Sequence, residues 1–359
     1  MYQGIAQKKF RELKSKKSVA ILGIETSCDE TAAAVVVNGR SLLSNVISSQ
    51  VELHRSFGGV VPEVASRNHL LAINAVANEA LAEAGIKAEN LDAIAVTHGA
   101  GLAGALLVGV SFAKAAAYAL GLPLIKVNHI EAHICANFIG AHEESGATPP
   151  FLAVAASGGH TSIIEVLDYH DYRMIGGTVD DAIGEAFDKV ARLLGLPYPG
   201  GPEIDRLSRE GKPVINFYKH NRGIDKRLKL SYSGLKTAVV NYLNTARMRG
   251  EEVNVADVCA SFTHQAVDLL VETARYAAKE RGYDTIVLAG GVAANGYLRE
   301  RLGEIGQAES FNIFYPPPVL CTDNAAMVAS RAYFSILAGE DSAGLDLNAD
   351  ASLRVKQGL

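Results

Sequence analysis

Two histidines four residues apart, His129 and His133 in the stretch NHIEAH, are the side chains of this sequence best placed to do chemistry. On a helix that spacing puts both imidazoles on one face, close enough to share a divalent metal. The acid between them departs from the zinc-peptidase patterns HExxH and HxxEH, in which a glutamate adjoins a histidine. Glu131 sits two places from each, about 160–200° around the helix at about 100° per residue, so it faces away from whatever the histidines hold. The competing reading is a histidine pair on the polar face of a surface helix. A third ligand candidate is Asp323, in CTDN just before the small-residue helix AAMVAS. An aspartate there also serves as an ordinary N-cap. As a ligand it would complete a site of two imidazoles and one carboxylate with open positions, suited to iron or zinc and to a substrate.

The elements that must position these residues come as a repeat. Residues 18–38 read as an apolar strand, a small polar turn (ETSCDET) and a second apolar strand; residues 151–167 repeat this as FLAVAA, SGGHTS and IIEVL. Each is a β-hairpin whose turn is rich in backbone N–H groups and hydroxyls, suited to phosphate oxygens. Alternating helices and strands come after each hairpin, which predicts a duplicated α/β architecture with mixed sheets and the ligand in a cleft between two lobes. The expected division is a basic tail over residues 1–18, a first lobe over 19–128 plus about 324–345, and a second lobe over 129–323.

There is no GxxxxGK[ST] and no strand–GxGxxG–helix, which removes the P-loop and the dinucleotide fingerprint. Instead a strand at 285–289 runs into GGVAAN, where two glycines allow close approach of a flat ligand and Asn295 can cap the next helix. A plain strand-to-helix turn is the alternative. Asp180, Asp181, Glu185 and Asp188 form an acidic cluster, succeeded by PYPGGPEID with Asp205. Such carboxylates can hold ribose hydroxyls or a metal, or simply face solvent at a helix end.

At 359 residues, 48% hydrophobic and 20% charged, the composition is that of a soluble two-lobed globular protein. Cys28, Cys135, Cys259 and Cys321 lack CxxC spacing, which suggests reduced thiols and a cytoplasmic setting. The uncharged run over residues 93–113 is long enough for a membrane span, but its four glycines divide it into strand, turn and helix, so no membrane is expected. The first eighteen residues hold six Lys/Arg and one acid, with no apolar signal core. The net charge of −5 rules out a general nucleic-acid coat, yet residues 219–249 carry eight Lys/Arg against Asp225 alone. That block is either a solvated face or a phosphate-binding surface.

Taken together, GIETSCDET, FGGVVPEVASR, NHIEAH, SGGHT, GEAFDK, YPGGPEID, SYSGLKT, GGVAAN and TDNAAM resemble one family over residues 19–334. It is the TsaD/Gcp family of tRNA N6-adenosine threonylcarbamoyltransferases, and GGVVPE is similar to its bacterial and organellar branch. The resemblance implies an actin-like ATPase (ASKHA) fold. It implies transfer of threonylcarbamoyl from threonylcarbamoyl-AMP to the N6 amine of the adenosine 3′ of the anticodon, in tRNAs reading codons that begin with adenine. It also implies one divalent metal, Fe2+ or Zn2+, on His129, His133 and Asp323. Ala155, Ala156, Ser157, Gly158 and Gly159 would bind substrate or adenine nucleotide, with Asp188, Gly201, Asp205 and Asn295 around the nucleoside. The family often has Leu-Val where this chain has Ala155-Ala156. Implied partners are tRNA, a TsaB-like paralogue, a TsaE-like ATPase and a separate synthase that supplies the adenylate.

On this reading Lys226, Arg227 and Lys229 meet tRNA phosphates. No general base is identified; Glu25 and Asp29 are candidates, with a structural role as the alternative. Because metal ligation needs neutral imidazoles, activity should fall below about pH 6. The rivals are a small-molecule kinase of the same fold, a metallo-glycoprotease, which the position of Glu131 disfavours, and a catalytically silent scaffold.

Overall fold

The computed structural model describes residues 2–140, 146–217 and 225–358. The chain forms two units. One comprises Met1–Pro149, Leu167–Tyr172 and Thr322–Lys356; the other comprises Pro150–Val166, Arg173–Cys321 and Gln357–Leu359.

In the first unit, helix α1 (Tyr2–Leu13) precedes the hairpin β1 (Ala20–Glu25) and β2 (Glu30–Val37). Then come β3 (Ser41–Ser49), α2 (Val51–Arg55), α3 (Pro62–Ala84), β4 (Ala93–Gly99), α4 (Ala103–Leu120), β5 (Leu124–Asn128) and α5 (His129–Cys135). The strands lie in the order β3-β2-β1-β4-β5. β1 runs antiparallel to β2 and parallel to β4, which is parallel to β5. β1 is buried at every position, as continuous apolar strands covered on both faces are.

The second unit opens on β6 (Phe151–Ala156), β7 (Thr161–Asp168) and β8 (Asp171–Thr178). It continues with α6 (Ile183–Leu193), α7 (Gly200–Ser208), β9 (Lys229–Leu230), α8 (Ser233–Arg249), α9 (Val255–Arg281), β10 (Thr285–Ala289), α10 (Gly296–Glu309), β11 (Asn312–Phe314) and α11 (Pro318–Cys321). Its strand order is β11-β10-β6-β7-β8-β9. With β9 set aside, this repeats the first sheet: a central antiparallel hairpin, its third strand outside, and two parallel strands beyond the hairpin's first. The duplication expected from the two hairpins is therefore a duplication of whole sheets.

The last helix, α12 (Ala325–Ala338), returns to the first unit and packs on β1, β2 and α5. It lies so close to β1 that a Cβ at Gly23 would come 2.3 Å from the Ala325 carbonyl oxygen. The small residues of AAMVAS make that approach possible. It brings the residues just before α12 over the end of β1.

Two expectations are corrected. The units change over between Pro149 and Pro150 rather than near Asn128, because α5 packs under α12 within the first unit. Residues 2–13 are not a solvated tail: α1 buries Ala6, Phe10 and Leu13, and the Tyr2 hydroxyl donates to the Leu122 carbonyl at 2.8 Å. Those apolar positions recur at helical spacing beneath the lysines, and docking them removes their surface from water. The uncharged run divides into β4 and α4 as expected. α4 has the length and apolarity of a membrane span, yet seven of its residues, among them Leu106, Val108 and Val110, are buried inside the unit.

Candidate functional site

The first unit gathers its reactive side chains at the carboxyl ends of three adjacent parallel strands. Glu25 ends β1, Thr97 lies near the end of β4, and α5 starts directly after β5. Asn128 caps α5, its Oδ1 accepting from the Ile130 and Glu131 N–H groups at 2.9 and 3.4 Å. That cap sets the helical register in which His129 and His133 share a face. Their Nε2 atoms are 3.2 Å apart. Asp323 Oδ1 lies 3.2 Å from His133 Nε2 and 3.6 Å from His129 Nε2.

A tetrahedral ion with bonds of about 2.0–2.2 Å has ligand-to-ligand edges of about 3.3–3.6 Å, and these three separations match that triangle. Asn324, not Asp323, caps α12, accepting from the Met327 N–H at 3.0 Å.

Glu25 is fully buried and both its oxygens are engaged. Oε1 accepts from the Ser27 N–H at 2.6 Å; Oε2 accepts from the Thr97 hydroxyl at 2.5 Å and faces His129 Nδ1 at 3.3 Å. A carboxylate only accepts, so Nδ1 carries a proton, which leaves Nε2 as the nitrogen a metal would take in exchange for its own. His133 Nδ1 is buried without a hydrogen-bond partner among the described residues. Burial works against the charged form of His129, but Asp323 and Glu25 outweigh it and hold its pKa up at about 9. Burial likewise opposes charge on Glu25, and the facing imidazole wins, lowering its pKa. Asp29 is raised by burial and by the Asp323 charge, and Glu30 is raised to about 7 by burial and by Asp29. The donor set, the spacing and the surplus of negative charge fit a divalent cation.

Glu131 points elsewhere. Its Oε2 accepts from Arg331 Nε at 2.8 Å, a buried ion pair that ties α5 to α12. It offers no base to a water at the histidines, which removes the geometry of a zinc peptidase.

In the second unit the expected nucleotide residues form a closed circuit at the ends of β6 and β10. Ala155 and Ala156 end β6, and the Ser157 N–H donates to the His160 carbonyl at 2.8 Å to close the turn. Gly158 and Gly159 have open space where a side chain would stand. Gly184 at the start of α6 packs on that turn, 2.5 Å separating its Cβ position from the Ser157 oxygen. Asp188 Oδ1 accepts from the Gly200 N–H at 2.7 Å, joining α6 to α7, where Gly201 also has open space. Asp205 Oδ1 accepts from the Gly296 N–H at 3.1 Å, joining α7 to α10, which Asn295 caps through the Leu298 N–H at 2.9 Å. Gly290, at φ 88° and ψ 170°, closes the circuit against the Ala156 carbonyl oxygen, 2.4 Å from its Cβ position.

The acidic cluster is structural. Asp180 accepts from the Tyr232 N–H at 2.8 Å at the start of α8, and Asp181 pairs with Lys189 and Lys236 at 2.8 and 2.7 Å. Glu185 pairs with Lys189 at 2.8 Å. These pairings also thin the basic block. Lys236 is neutralised, Arg227 pairs with Asp225 at 3.1 Å, and Lys219 and Arg222 lie outside the described residues. Lys226 and Lys229 are exposed.

The family model for TsaD, tRNA N6-adenosine threonylcarbamoyltransferase, matches residues 41–330. The chain belongs to this family. A TsaD-family relative named tRNA N6-adenosine threonylcarbamoyltransferase, from Clostridium perfringens (strain SM101 / Type A), is 55% identical over 336 residues, covering 93% of this chain and 98% of its own. One of the same name from Clostridium novyi (strain NT) is 54% identical over 340 residues, covering 94% and 98%. Among solved structures, T. kodakarensis HypF superposes with a TM-score of 0.57 at 16% identity, over 90% of this chain and 48% of that one. The Acidaminococcus fermentans (R)-2-hydroxyglutaryl-CoA dehydratase component A gives 0.51 at 15% identity, over 89% and 99%. These likenesses show the fold, the actin-like ATPase (ASKHA) class. The enzyme is thus a TsaD-family transferase, with tRNA as its substrate class.

Sequence reasoning missed Ser27 and Thr97, which lock Glu25, and Arg331, which claims Glu131. Glu25 itself carried a signal: an acid closing an otherwise apolar buried strand has to be paired.

Proposed function

We propose that this protein transfers the threonylcarbamoyl group from threonylcarbamoyl-AMP to the N6 amine of the adenosine 3′ of the anticodon, releasing AMP. The observation that carries the reading is the His129–His133–Asp323 triangle, backed by Glu25, inside a TsaD-family chain. The N6 amine is a poor nucleophile because its lone pair is delocalised into the ring. The acyl donor must therefore be activated, as an adenylate is: the new C–N bond forms as the bond to the phosphate oxygen breaks.

His129, His133 and Asp323 would hold one Fe2+ or Zn2+, which when bound supplies a Lewis acid for the carbamoyl oxygen or the phosphate. Glu25 keeps the proton on His129 Nδ1 and so fixes which nitrogen faces inward. The residue 157–159 turn presents backbone to phosphate, while Gly201, Asn295 and the Gly290 turn bound the nucleoside. Asp188 and Asp205 act there mainly by fixing the N-termini of α7 and α10. Asp29, with its raised pKa, is the better placed of the two base candidates, since Glu25 has no free oxygen. Lys226 and Lys229 would contact tRNA phosphates. A TsaB-like paralogue and a TsaE-like ATPase would act alongside in the cytoplasm, with a separate synthase supplying the adenylate.

The test is nucleoside analysis of tRNA after reaction with threonine, bicarbonate, ATP and the partner enzymes, with metal analysis alongside. N6-threonylcarbamoyladenosine should form and should require bound metal. Phosphorylation of a small molecule without tRNA modification would instead favour a kinase of the same fold.

A further inference from the structure

We propose that the basic face of α1 is a second binding surface for the phosphate backbone of tRNA. This rests on tRNA being the substrate, and it concerns a segment outside the residues 41–330 that the family model matches. Lys8, Lys9, Arg11, Lys14, Lys16 and Lys17 stand against Glu12 alone, on a protein of net charge −5. The structure gives that charge a fixed place. Ala6, Phe10 and Leu13 are buried, the Tyr2 hydroxyl holds the Leu122 carbonyl, and Lys16 pairs with Asp92, so both ends of the segment are fastened to the first unit.

At about 100° per residue, Lys8 and Arg11 lie opposite the buried stripe. They are exposed, as are Lys14 and Lys17, and among the described residues none of the four pairs with a carboxylate. Gly4, Gln7, Lys8, Arg11, Glu12 and Ser15 form one stripe at helical spacing on that face. Fixed, unpaired cations in a row are what a phosphate backbone requires, because each contact releases condensed counterions.

A membrane surface is the weaker fit. An interfacial helix inserts an apolar face, and here that face is already used against the first unit, leaving Ile5 as the exposed large apolar residue of α1.

The experiment compares wild type with the triple variant Lys8→Gln/Arg11→Gln/Lys14→Gln. A control, Lys87→Gln/Lys212→Gln/Lys356→Gln, makes the same charge change at other exposed lysines. Binding of unmodified tRNA is titrated from about 50 to 200 mM salt. All six residues are exposed, so metal content and thermal midpoint should match wild type in both variants. The triple variant should lower the slope of log K against log salt by about two, with the control close to wild type. Equal slopes in all three proteins, or equal losses in the two variants, would overturn the role of α1. Loss of binding to phosphatidylglycerol vesicles with an unchanged tRNA slope would assign the face to a lipid surface instead. Wild type that binds no tRNA at any salt would reject the transfer reading as well, whereas tRNA-modifying wild type with equal slopes would reject α1 alone.

Discussion

The two hairpin turns occupy the same place in the same strand order, yet they present opposite kinds of chemistry. The β1–β2 turn closes on Glu25, Thr26, Ser27, Cys28 and Asp29, and its working groups are side chains, with Glu25 fully buried and Asp29 nearly so. The β6–β7 turn reads Ser157, Gly158, Gly159 and His160, and its two glycines stand in open space. Duplication supplied a common frame of strand ends. Divergence in one short turn, and in the residue placed after another parallel strand of each sheet, two strands from β1 in one unit and next to β6 in the other, separates a cluster of side-chain donors from a turn of open backbone. The first unit adds His129 after β5; the second adds Gly290 after β10.

The sharpest way to break this contrast is to damage each site alone. His129→Ala removes a ligand and with it the charge stabilisation, so transfer should fall by about 10²–10³-fold with metal content close to zero. Adenine-nucleotide binding to the second unit should survive. Gly290→Val should do the reverse. It forces a side chain into a conformation that costs about 1–3 kcal/mol, and pushes it against the Ala156 carbonyl. Nucleotide affinity should fall with metal content retained. Metal analysis and nucleotide titration on both variants decide the matter. Loss of both ligands in either variant would mean that the two sites are not separable.

A finer cut falls within the first unit. Glu25→Gln keeps the size of the side chain but removes the carboxylate that fixes the His129 tautomer. Metal affinity should drop about 10–100-fold, as it does when an outer carboxylate behind a ligating histidine is lost. Chelator competition measures it. An unchanged affinity would show that the triangle holds without its support, and would return Glu25 to the list of bases.

Legibility in the sequence depended on the range of the contacts. Local patterns were readable: the hairpins, the i,i+4 histidines, the outward turn of Glu131 and the Asn295 cap all depend on spacing within one element. Contacts made across the fold were not. Asp180 looked like a ligand because its partner, the start of α8, lies some fifty residues away in the chain. Asp323 and Asn324 are equally good caps on paper, and only the folded structure shows that Asn324 takes the role. The stripe of Ala6, Phe10 and Leu13 was readable in principle, but the lysines around it carried the stronger signal.

The smallest effect sets the pH at which the side-chain site works. From an ordinary histidine pKa of about 6.5, proton competition for metal would end near neutrality. In the folded, metal-free site the carboxylates hold His129 up at about 9, so a proton occupies the metal's place through the physiological range. Apparent metal affinity should therefore climb about tenfold per pH unit up to about 9 and then level off, one proton being displaced per ion. The same shift governs stability. A histidine raised on folding stabilises fully below its unfolded pKa of about 6.5, and loses that contribution as pH rises through about 9. Metal-free protein should thus melt at a lower temperature at pH 9 than at pH 7 by this contribution, while metal-loaded protein, whose imidazoles are already neutral, should be insensitive to it. Calorimetry of both forms, with chelator competition across the range, tests the point. A metal affinity that levels off near pH 6.5 would show a neutral His129 in the free site, and the contrast between the two turns would then rest on geometry without charge.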